Sequence, residues 1–142
     1  MNRDQKTKTR EKKAISEFLE KLKENPNEAL KDDRILKPGG YADRIAYEVG
    51  NNLKRTQLRR VFHQIKKIQE YIRKNKDYKE VIYETYPLLA YNKGRKNLPE
   101  DFYKLIVELL NLSEQDEQLA EKTVKFVEAL VAYHKFHYPK ET

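Results

Sequence analysis

Positive charge is concentrated in one stretch of this sequence. Between Lys54 and Lys76, nine cationic side chains stand against one acidic residue, Glu70, so these 23 residues carry a net charge of +8 while the whole chain carries +7. Apolar residues recur at helical spacing from Leu58 to Ile72, which predicts a single amphipathic helix. A positive field concentrated on one helix is typical of a surface that binds a polyanion. The cations are Lys54, Arg55, Arg59, Arg60, Lys66, Lys67, Arg73, Lys74 and Lys76.

The helical repeat places most of these cations in two rows. One row lies about 60° to 100° from Leu58, beside the apolar stripe, and the other lies about 160° to 200° away, opposite the core. Successive members of the second row are about 10.5 Å apart, and both rows extend over about 30 Å. Two rows of that length could follow a phosphate chain for several nucleotides. The first row contains Arg55, Arg59, Lys66 and Arg73, and the second contains Arg60, Lys67 and Lys74.

A solvated helix face is the alternative interpretation of this charge. Charged helix surfaces usually carry acids one turn away from the cations, which offset their repulsion. In this helix such acids are missing, and like-charged pairs such as Arg55 and Arg59 cost stability. We therefore predict a polyanion site here. His63, which falls between the two rows, is predicted to contact a phosphate rather than to act as a base.

Aromatic residues could add stacking surfaces for unpaired bases. Most of the ten tyrosines and five phenylalanines fall on apolar stripes and are predicted to be core residues. Tyr91 is different, because it stands beside Lys93, Gly94 and Arg95 in a stretch predicted to be a loop. A phosphate could approach the backbone closely there, although a structural role for Tyr91 is equally compatible with the sequence.

The other motifs give no support for catalysis or for a bound cofactor. The chain has no cysteine, which excludes disulfides, thiol nucleophiles and cysteine-based zinc sites. His134 and His137 are three residues apart, but no ligand set accompanies them, and we predict structural roles instead. No catalytic triad, glycine-rich phosphate loop or carboxylate pair is apparent. The sequence predicts no enzyme activity, no metal and no cofactor.

A helix-turn-helix motif is a second interpretation of the region around the basic helix. The segment from Ile45 to Gly50, followed by Thr56 to Arg60, has part of the pattern. The two positions that should be apolar after the glycine are Asn51 and Thr56, both polar. A DNA-binding regulator therefore stays an alternative function.

The elements that position these residues are predicted to be helices throughout. Helical apolar spacing begins at Glu11 and is stopped at Asn25-Pro26, and Lys37-Pro38-Gly39-Gly40 is the clearest break. Pro87 is predicted to kink or end the segment that follows the basic helix. We predict an all-α fold, a compact bundle of about five to six helices, with residues 1–10 as a flexible basic tail and residues 11–142 as one domain.

The last predicted helix is apolar nearly all round. Between Phe126 and Tyr133 its only polar residue is Glu128. Such a helix either forms the centre of the bundle, which we favour, or contributes half of a protein–protein contact. The second interpretation would make the chain a helical adaptor or a homodimer. No apolar run reaches the roughly 18 residues of a membrane span, and there is no signal-type N-terminus, so we expect a soluble, cytoplasmic protein without a membrane partner.

Two short motifs resemble one known family. They are Arg55-Thr56-Gln57-Leu58-Arg59-Arg60 at the start of the basic helix and Leu89-Ala90-Tyr91-Asn92-Lys93-Gly94-Arg95 farther on. Together with the helical pattern over residues 41 to 110, they are similar to the small subunit of the type III-A CRISPR effector, the Csm interference complex.

The resemblance implies a compact helical bundle, present in several copies along the guide–target duplex and working with other Csm subunits in antiviral defence. It implies a non-catalytic subunit that lines the channel for crRNA and target RNA. Sequence would then be read by base pairing, and the protein would contact only backbone and shape. The family's RNA-contact role transfers first to Arg59, Arg60 and Arg95. The helical wheel adds Lys54, Arg55, Lys66, Lys67 and Arg73, and the Tyr91 segment adds Lys93.

Overall fold

The computed structural model of the chain describes residues 14–140, and within that range the fold is entirely helical. No β-strand occurs among the described residues, which confirms the predicted all-α class. A 3₁₀ turn at Gly50–Asn52 connects the fourth and fifth α-helices. The α-helices are α1 Ala14–Glu24, α2 Pro26–Ala29, α3 Asp32–Ile35, α4 Tyr41–Val49, α5 Arg55–Arg73, α6 Lys79–Gly94, α7 Glu100–Gln115 and α8 Glu117–His137.

The predicted number of helices was wrong, because the described part of the chain forms eight α-helices rather than five to six. The additional ones are α2 and α3, each a single turn of four residues in the stretch between α1 and α4. The side chain of Asn25 accepts a hydrogen bond from the backbone N–H of Glu28 and thereby caps α2, while Pro26 occupies its first turn. Capping by Asn25 thus stabilises a short helix, α2, at the position where the sequence indicated a break.

Pro87 does not end α6, which continues to Gly94. A proline inside a helix removes one backbone donor, but Pro87 is exposed and lies between two buried side chains that anchor the helix, Thr85 and Leu89. The Thr85 hydroxyl donates to the carbonyl oxygen of Val81 at 2.7 Å, one turn earlier. Packing of the α6 side chains therefore outweighs the local preference of proline.

The apolar final helix lies at the centre of the bundle, as favoured from the sequence. α8 packs against α4, α5 and α7, and it buries Val124, Phe126, Val127 and Leu130. Asp116 caps it by accepting from the backbone N–H of Gln118 at 2.8 Å. Because these apolar side chains are buried within the bundle, they are not available to a second copy of the chain. Self-association stays a prediction and would need other surfaces.

The structure does not test two predictions about the chain's organisation. The predicted basic tail, residues 1–10, lies outside the described residues, and the boundaries of the predicted single domain stay a prediction. None of the helices formed by residues 14–140 combines the length and the hydrophobicity that a bilayer-spanning segment requires.

Candidate nucleic-acid interface

The basic helix is α5, and its burial follows the predicted wheel. Leu58, Val61, Ile65 and Ile68 are buried against the rest of the bundle. The cations lie outside that stripe, where the bundle does not cover them. Those exposed to solvent are Lys54, Arg59, Arg60, Lys67, Arg73, Lys74 and Lys76, while Arg55 and Lys66 are half-buried.

No described carboxylate neutralises the exposed cations of α5. Within residues 14–140, none of the lysine or arginine side chains from Arg59 to Lys76 forms an ion pair. Lys67 donates a hydrogen bond to the amide oxygen of Gln64 at 3.2 Å, and the Lys66 ammonium lies 5.7 Å from the centroid of the Phe62 ring. Both contacts orient a cation without cancelling its charge. The positive field of α5 is therefore available to a ligand.

A surface concavity of about 310 Å³ lies over the first turns of α5. The structure brings together here three of the predicted cations, Arg55, Arg59 and Arg60, with Thr56 and His63. Counted from Arg55, the other four residues stand one, four, five and eight positions along the helix, so the set covers neighbouring positions on one side of α5. The predicted position of His63 between the two basic rows is consistent with this geometry. A hydroxyl, an imidazole and three guanidinium groups form a set that suits phosphate oxygens.

The start of α5 strengthens this field. The N-cap residue, Lys54, makes no side-chain cap, and the first turn of the helix contains no acidic residue. The first backbone N–H groups of a helix have no intrahelical acceptor and carry partial positive charge, so a helix start attracts anions. Acidic side chains in the first turn of a helix are stabilising for this reason. Here basic side chains occupy it instead, and the helix dipole adds to their charge.

Arg55 also has a structural contact. Its guanidinium Nη2 donates to the carbonyl oxygen of Tyr138 at 2.6 Å, which joins the start of α5 to the residue that follows α8. No pattern in the sequence indicated this bond, since the two residues are 83 positions apart. Arg55 therefore lines the concavity and helps to hold it in place.

The second predicted segment lies on α6 rather than in a loop. The prediction for Tyr91 was wrong in this respect, because the helix continues to Gly94 and Tyr91 is an exposed helical residue. Arg95 donates from Nη1 to the Tyr91 hydroxyl at 3.1 Å, and its guanidinium lies 5.6 Å from the Tyr91 ring centroid. Since α5 and α6 pack together across a connection of five residues, Arg95 returns to the end of the pair where α5 begins.

Lys93, another predicted contact residue, forms an ion pair within the bundle. Its ammonium lies 2.6 Å from a carboxylate oxygen of Glu100 and 5.1 Å from the centroid of the Tyr103 ring. The hydrogen bond to Glu100 raises the pKa of Lys93 and lowers the pKa of Glu100. Neither Lys93 nor Arg95 lines the concavity over α5.

The histidines near the C-terminus have structural partners, as predicted. His134 is fully buried, and its Nε2 lies 3.0 Å from the carbonyl oxygen of Gly50. The Nε2 of His137 lies 2.5 Å from a carboxylate oxygen of Asp43. No group of three or more potential metal ligands is found within the described range.

Some functional candidates were missed from the sequence. Thr56, which lines the concavity, was noted in the helix-turn-helix comparison and in the family motif but was not predicted to contact a ligand. Tyr47 and Phe136 are strongly exposed aromatic residues that attracted no attention. A wheel of α4 could have found Tyr47, because Ala42, Ile45, Ala46 and Val49 mark the buried face and leave Tyr47 outside it.

The connection between α4 and α5 bears on the helix-turn-helix alternative. Residues 50–54 separate the two helices and include the 3₁₀ turn. That is longer than the three- or four-residue turn of the motif, in agreement with the mismatch seen in the sequence.

Comparison with known proteins gave one match. A family model with the description Csm2 Type III-A matches residues 32–140, which covers all of α3 to α8 and the whole basic helix. Comparisons with curated proteins and with solved structures gave no significant match.

Proposed function

Because the chain belongs to the Csm2 family and is thus a small subunit of a type III-A CRISPR Csm complex, we propose that it binds RNA through the face of α5. The RNA is the crRNA–target RNA pair held by the complex, which the subunit contacts through backbone phosphates and without reading sequence. The subunit has no catalytic role of its own, acts in the cytoplasm in antiviral defence and is present in several copies.

The concavity over the first turns of α5 is the observation that carries this proposal. It combines Arg55, Arg59 and Arg60 with a helix start that lacks any acidic residue. Phosphate oxygens are the ligands that such a set accepts best, because guanidinium groups donate paired hydrogen bonds and the helix start adds its dipole. The remaining exposed cations of α5 extend the positive face along the helix.

Backbone contact without sequence reading fits the composition of this face. Specific recognition of bases depends on bidentate hydrogen bonds from side chains to base edges, whereas lysine and arginine on a convex helix face mainly neutralise phosphates. In RNA-guided complexes the sequence is read by base pairing, so the protein needs to recognise only backbone and shape. A row of cations with few carboxamides meets that requirement.

The proposed contact residues fall into groups according to their exposure, their pairing and their position relative to the concavity. Arg59 and Arg60 are exposed, unpaired with any described carboxylate and in the concavity, so we assign the main contact to them. Arg55 contributes charge and positions the site. Weaker contacts with RNA phosphates are proposed for Lys54, Lys66, Lys67, Arg73, Arg95 and Lys93. Lys93 must either keep its ion pair with Glu100 or exchange it for a phosphate.

The test is RNA binding by the full chain with both central arginines reversed. We expect Arg59→Glu combined with Arg60→Glu to abolish measurable binding of a fluorescently labelled single-stranded RNA in an anisotropy titration. The matched control is Lys23→Glu combined with Lys37→Glu, which makes the same change in net charge at exposed positions on other parts of the molecule. The control should bind within about threefold of the wild type, because screening weakens distant charges.

Two results would contradict the proposal. Equal losses in both variants would mean that net charge, not the α5 face, drives association. Unchanged binding in the arginine variant would mean that the site is elsewhere. Circular dichroism of each variant should show the helical content of the wild type, because the substituted side chains are exposed.

A further inference from the structure

Three aromatic rings form a row beside the basic concavity. Tyr47 on α4 is 52% exposed and Phe136 near the end of α8 is 72% exposed. The ring of His137 lies between them, 5.3 Å from the Tyr47 ring and 5.1 Å from the Phe136 ring, measured between centroids and with edge-on geometry in both cases. Contiguous exposed apolar surface on a monomer often marks a binding site.

The row is held in place by contacts to the surrounding structure. Asp43, one turn before Tyr47 on α4, bonds to His137 and also accepts from the backbone N–H of Gly39 at 2.8 Å. The Tyr138 hydroxyl donates to the backbone carbonyl oxygen of Tyr47 at 2.7 Å, which ties the α4 residue to the end of α8. The rings are therefore fixed before a ligand arrives, which lowers the entropy cost of binding.

Tyr138 also connects this row to the concavity. Its hydroxyl bonds to Tyr47 and its carbonyl oxygen accepts from Arg55, so a single residue contacts an aromatic of the row and a guanidinium of the basic site. The backbone of Tyr47 and the guanidinium of Arg55 are thus linked through one residue, which joins the aromatic row to the basic set. The exposed ammonium of Lys135, which reaches the carbonyl oxygen of Pro139 at 3.3 Å, adds positive charge at the same end of α8.

We propose that Tyr47 and Phe136 form a stacking platform for unpaired RNA bases, next to the phosphate site at Arg55, Arg59 and Arg60. This inference rests on the proposed RNA-binding function and adds to its phosphate contacts a second contact, with bases that are unpaired where the crRNA–target RNA pair ends or is interrupted. Single-strand binding surfaces combine a basic groove for the backbone with aromatic rings on which bases stack. In a continuous duplex the bases are stacked on one another, so their faces are not available to Tyr47 and Phe136.

Charge favours a nucleic acid over a protein as the occupant of this row. An apolar patch that docks another protein is typically surrounded by a polar rim of both signs. Here positive charge comes from Lys135 and from Arg55, which is linked to the row through Tyr138, while the nearby carboxylate of Asp43 is engaged with His137. A protein surface is therefore the competing outcome of the test.

The experiment compares three ligands and matched alanine variants of the full chain. The ligands are a labelled single-stranded RNA, an oligomer of the same length and charge without bases, and a blunt RNA duplex. The variants are Tyr47→Ala, Phe136→Ala and their combination, and the control is Tyr83→Ala, an equally exposed tyrosine on α6. We expect each variant to bind the single strand about 5- to 100-fold more weakly than the wild type does, with binding of the abasic oligomer and the control variant unchanged.

Each outcome distinguishes this inference from the function on which it rests. A wild-type chain that binds none of the three ligands would overturn both. Binding of the single strand that is unaffected in the Tyr47 and Phe136 variants would overturn the platform alone. Equal losses on the abasic oligomer would also overturn it, because stacking requires bases. A change in sedimentation of the double variant with unchanged RNA binding would identify the row as a protein contact instead.

Discussion

The guanidinium of Arg55 donates a 2.6 Å hydrogen bond to the backbone carbonyl oxygen of Tyr138, and this bond joins the first residue of the basic helix to the residue after the last helix. Two other bonds reach the same region from α8. His134 Nε2 lies 3.0 Å from the carbonyl oxygen of Gly50, and the Tyr138 hydroxyl donates to the carbonyl oxygen of Tyr47. The end of α8 therefore positions the connection between α4 and α5, on which the candidate site depends.

Replacing Arg55 should cost stability, unlike replacing its neighbour on the same face. We expect Arg55→Ala to lower the free energy of unfolding by about 1–3 kcal/mol, because it removes a charge-assisted hydrogen bond and leaves a half-buried carbonyl group. Arg59→Ala, at an exposed position, should change it by less than about 0.5 kcal/mol. Urea denaturation followed by circular dichroism measures both values. Equal effects of the two substitutions would show that the contact to Tyr138 does not position α5.

The spacing of the apolar residues predicted most of the α-helices, because burial repeats along a helix. Leu58, Val61, Ile65 and Ile68 are buried as the wheel indicated, and the cations of α5 lie outside them. The same reasoning could not find α2 and α3, because a single turn of four residues is too short to show a helical period; the Asn25 side chain caps α2, whereas α3 has no side-chain cap. It also predicted that Pro87 would kink or end its segment, whereas α6 continues to Gly94, since local preference does not report the packing of the surrounding side chains.

The site was predictable only where it lies on one helix. Arg59, Arg60 and His63 share a face of α5, so their spacing in the sequence determines their geometry. The bond from Arg55 to Tyr138 and the row formed by Tyr47 and Phe136 depend on how α4, α5 and α8 pack. Such tertiary contacts between distant residues leave no periodic signal in a single sequence.

The salt dependence of RNA binding should report how many cations contact phosphates. If six are engaged with a single strand, the logarithm of the association constant should fall against the logarithm of salt concentration with a slope of about −4. Combining Arg59→Ala with Arg60→Ala should reduce the magnitude of that slope by about 1.4. Lys93→Ala should change it little, because Lys93 is paired with Glu100. A wild-type slope near zero would contradict the phosphate contacts altogether.

Glu48 should make the stability of the fold fall as pH rises above its ordinary carboxyl pKa. Its two carboxylate oxygens accept from the backbone N–H groups of Ala14 and Ile15 at the described start of α1, at 3.1 and 3.0 Å. Burial raises the pKa of Glu48 above the usual value of about 4.5, and these hydrogen bonds offset only part of that rise. The folded state therefore holds the proton to higher pH than the unfolded state does.

The sign of the Glu48 effect follows from that difference. Its contribution is fully present below the unfolded pKa and is lost as pH rises through the folded pKa. Relative to Glu48→Gln, which does not titrate, the wild type should lose free energy of unfolding as pH rises from the ordinary carboxyl pKa through the raised pKa of the folded state. Denaturation at several pH values checks this. A wild type that instead gains stability over that range would mean that the two backbone hydrogen bonds outweigh burial.

The turn before α4 should tolerate alanine at neither of its two glycines, but for different physical reasons. At Gly40 a Cβ atom would stand 2.6 Å from the carbonyl oxygen of Arg34 and 2.9 Å from that of Lys37, both backbone atoms, so the chain would have to shift. We expect a loss of about 1–3 kcal/mol, as for overpacking. Gly39 has open space but a φ of +83°, so alanine there should cost about 1–2 kcal/mol through strain alone.

Gly94 is the matched control for these two substitutions, because a Cβ there meets no atom within 4 Å and the residue is helical. Gly94→Ala should raise the free energy of unfolding by about 0.5–1 kcal/mol. The cost at Gly40 should also appear at the site, since a shift of the α4 start moves Tyr47 relative to His137. Gly40→Ala should thus weaken single-stranded RNA binding, while Gly94→Ala should leave it intact. Equal binding by both variants would show that RNA binding does not depend on the position of α4.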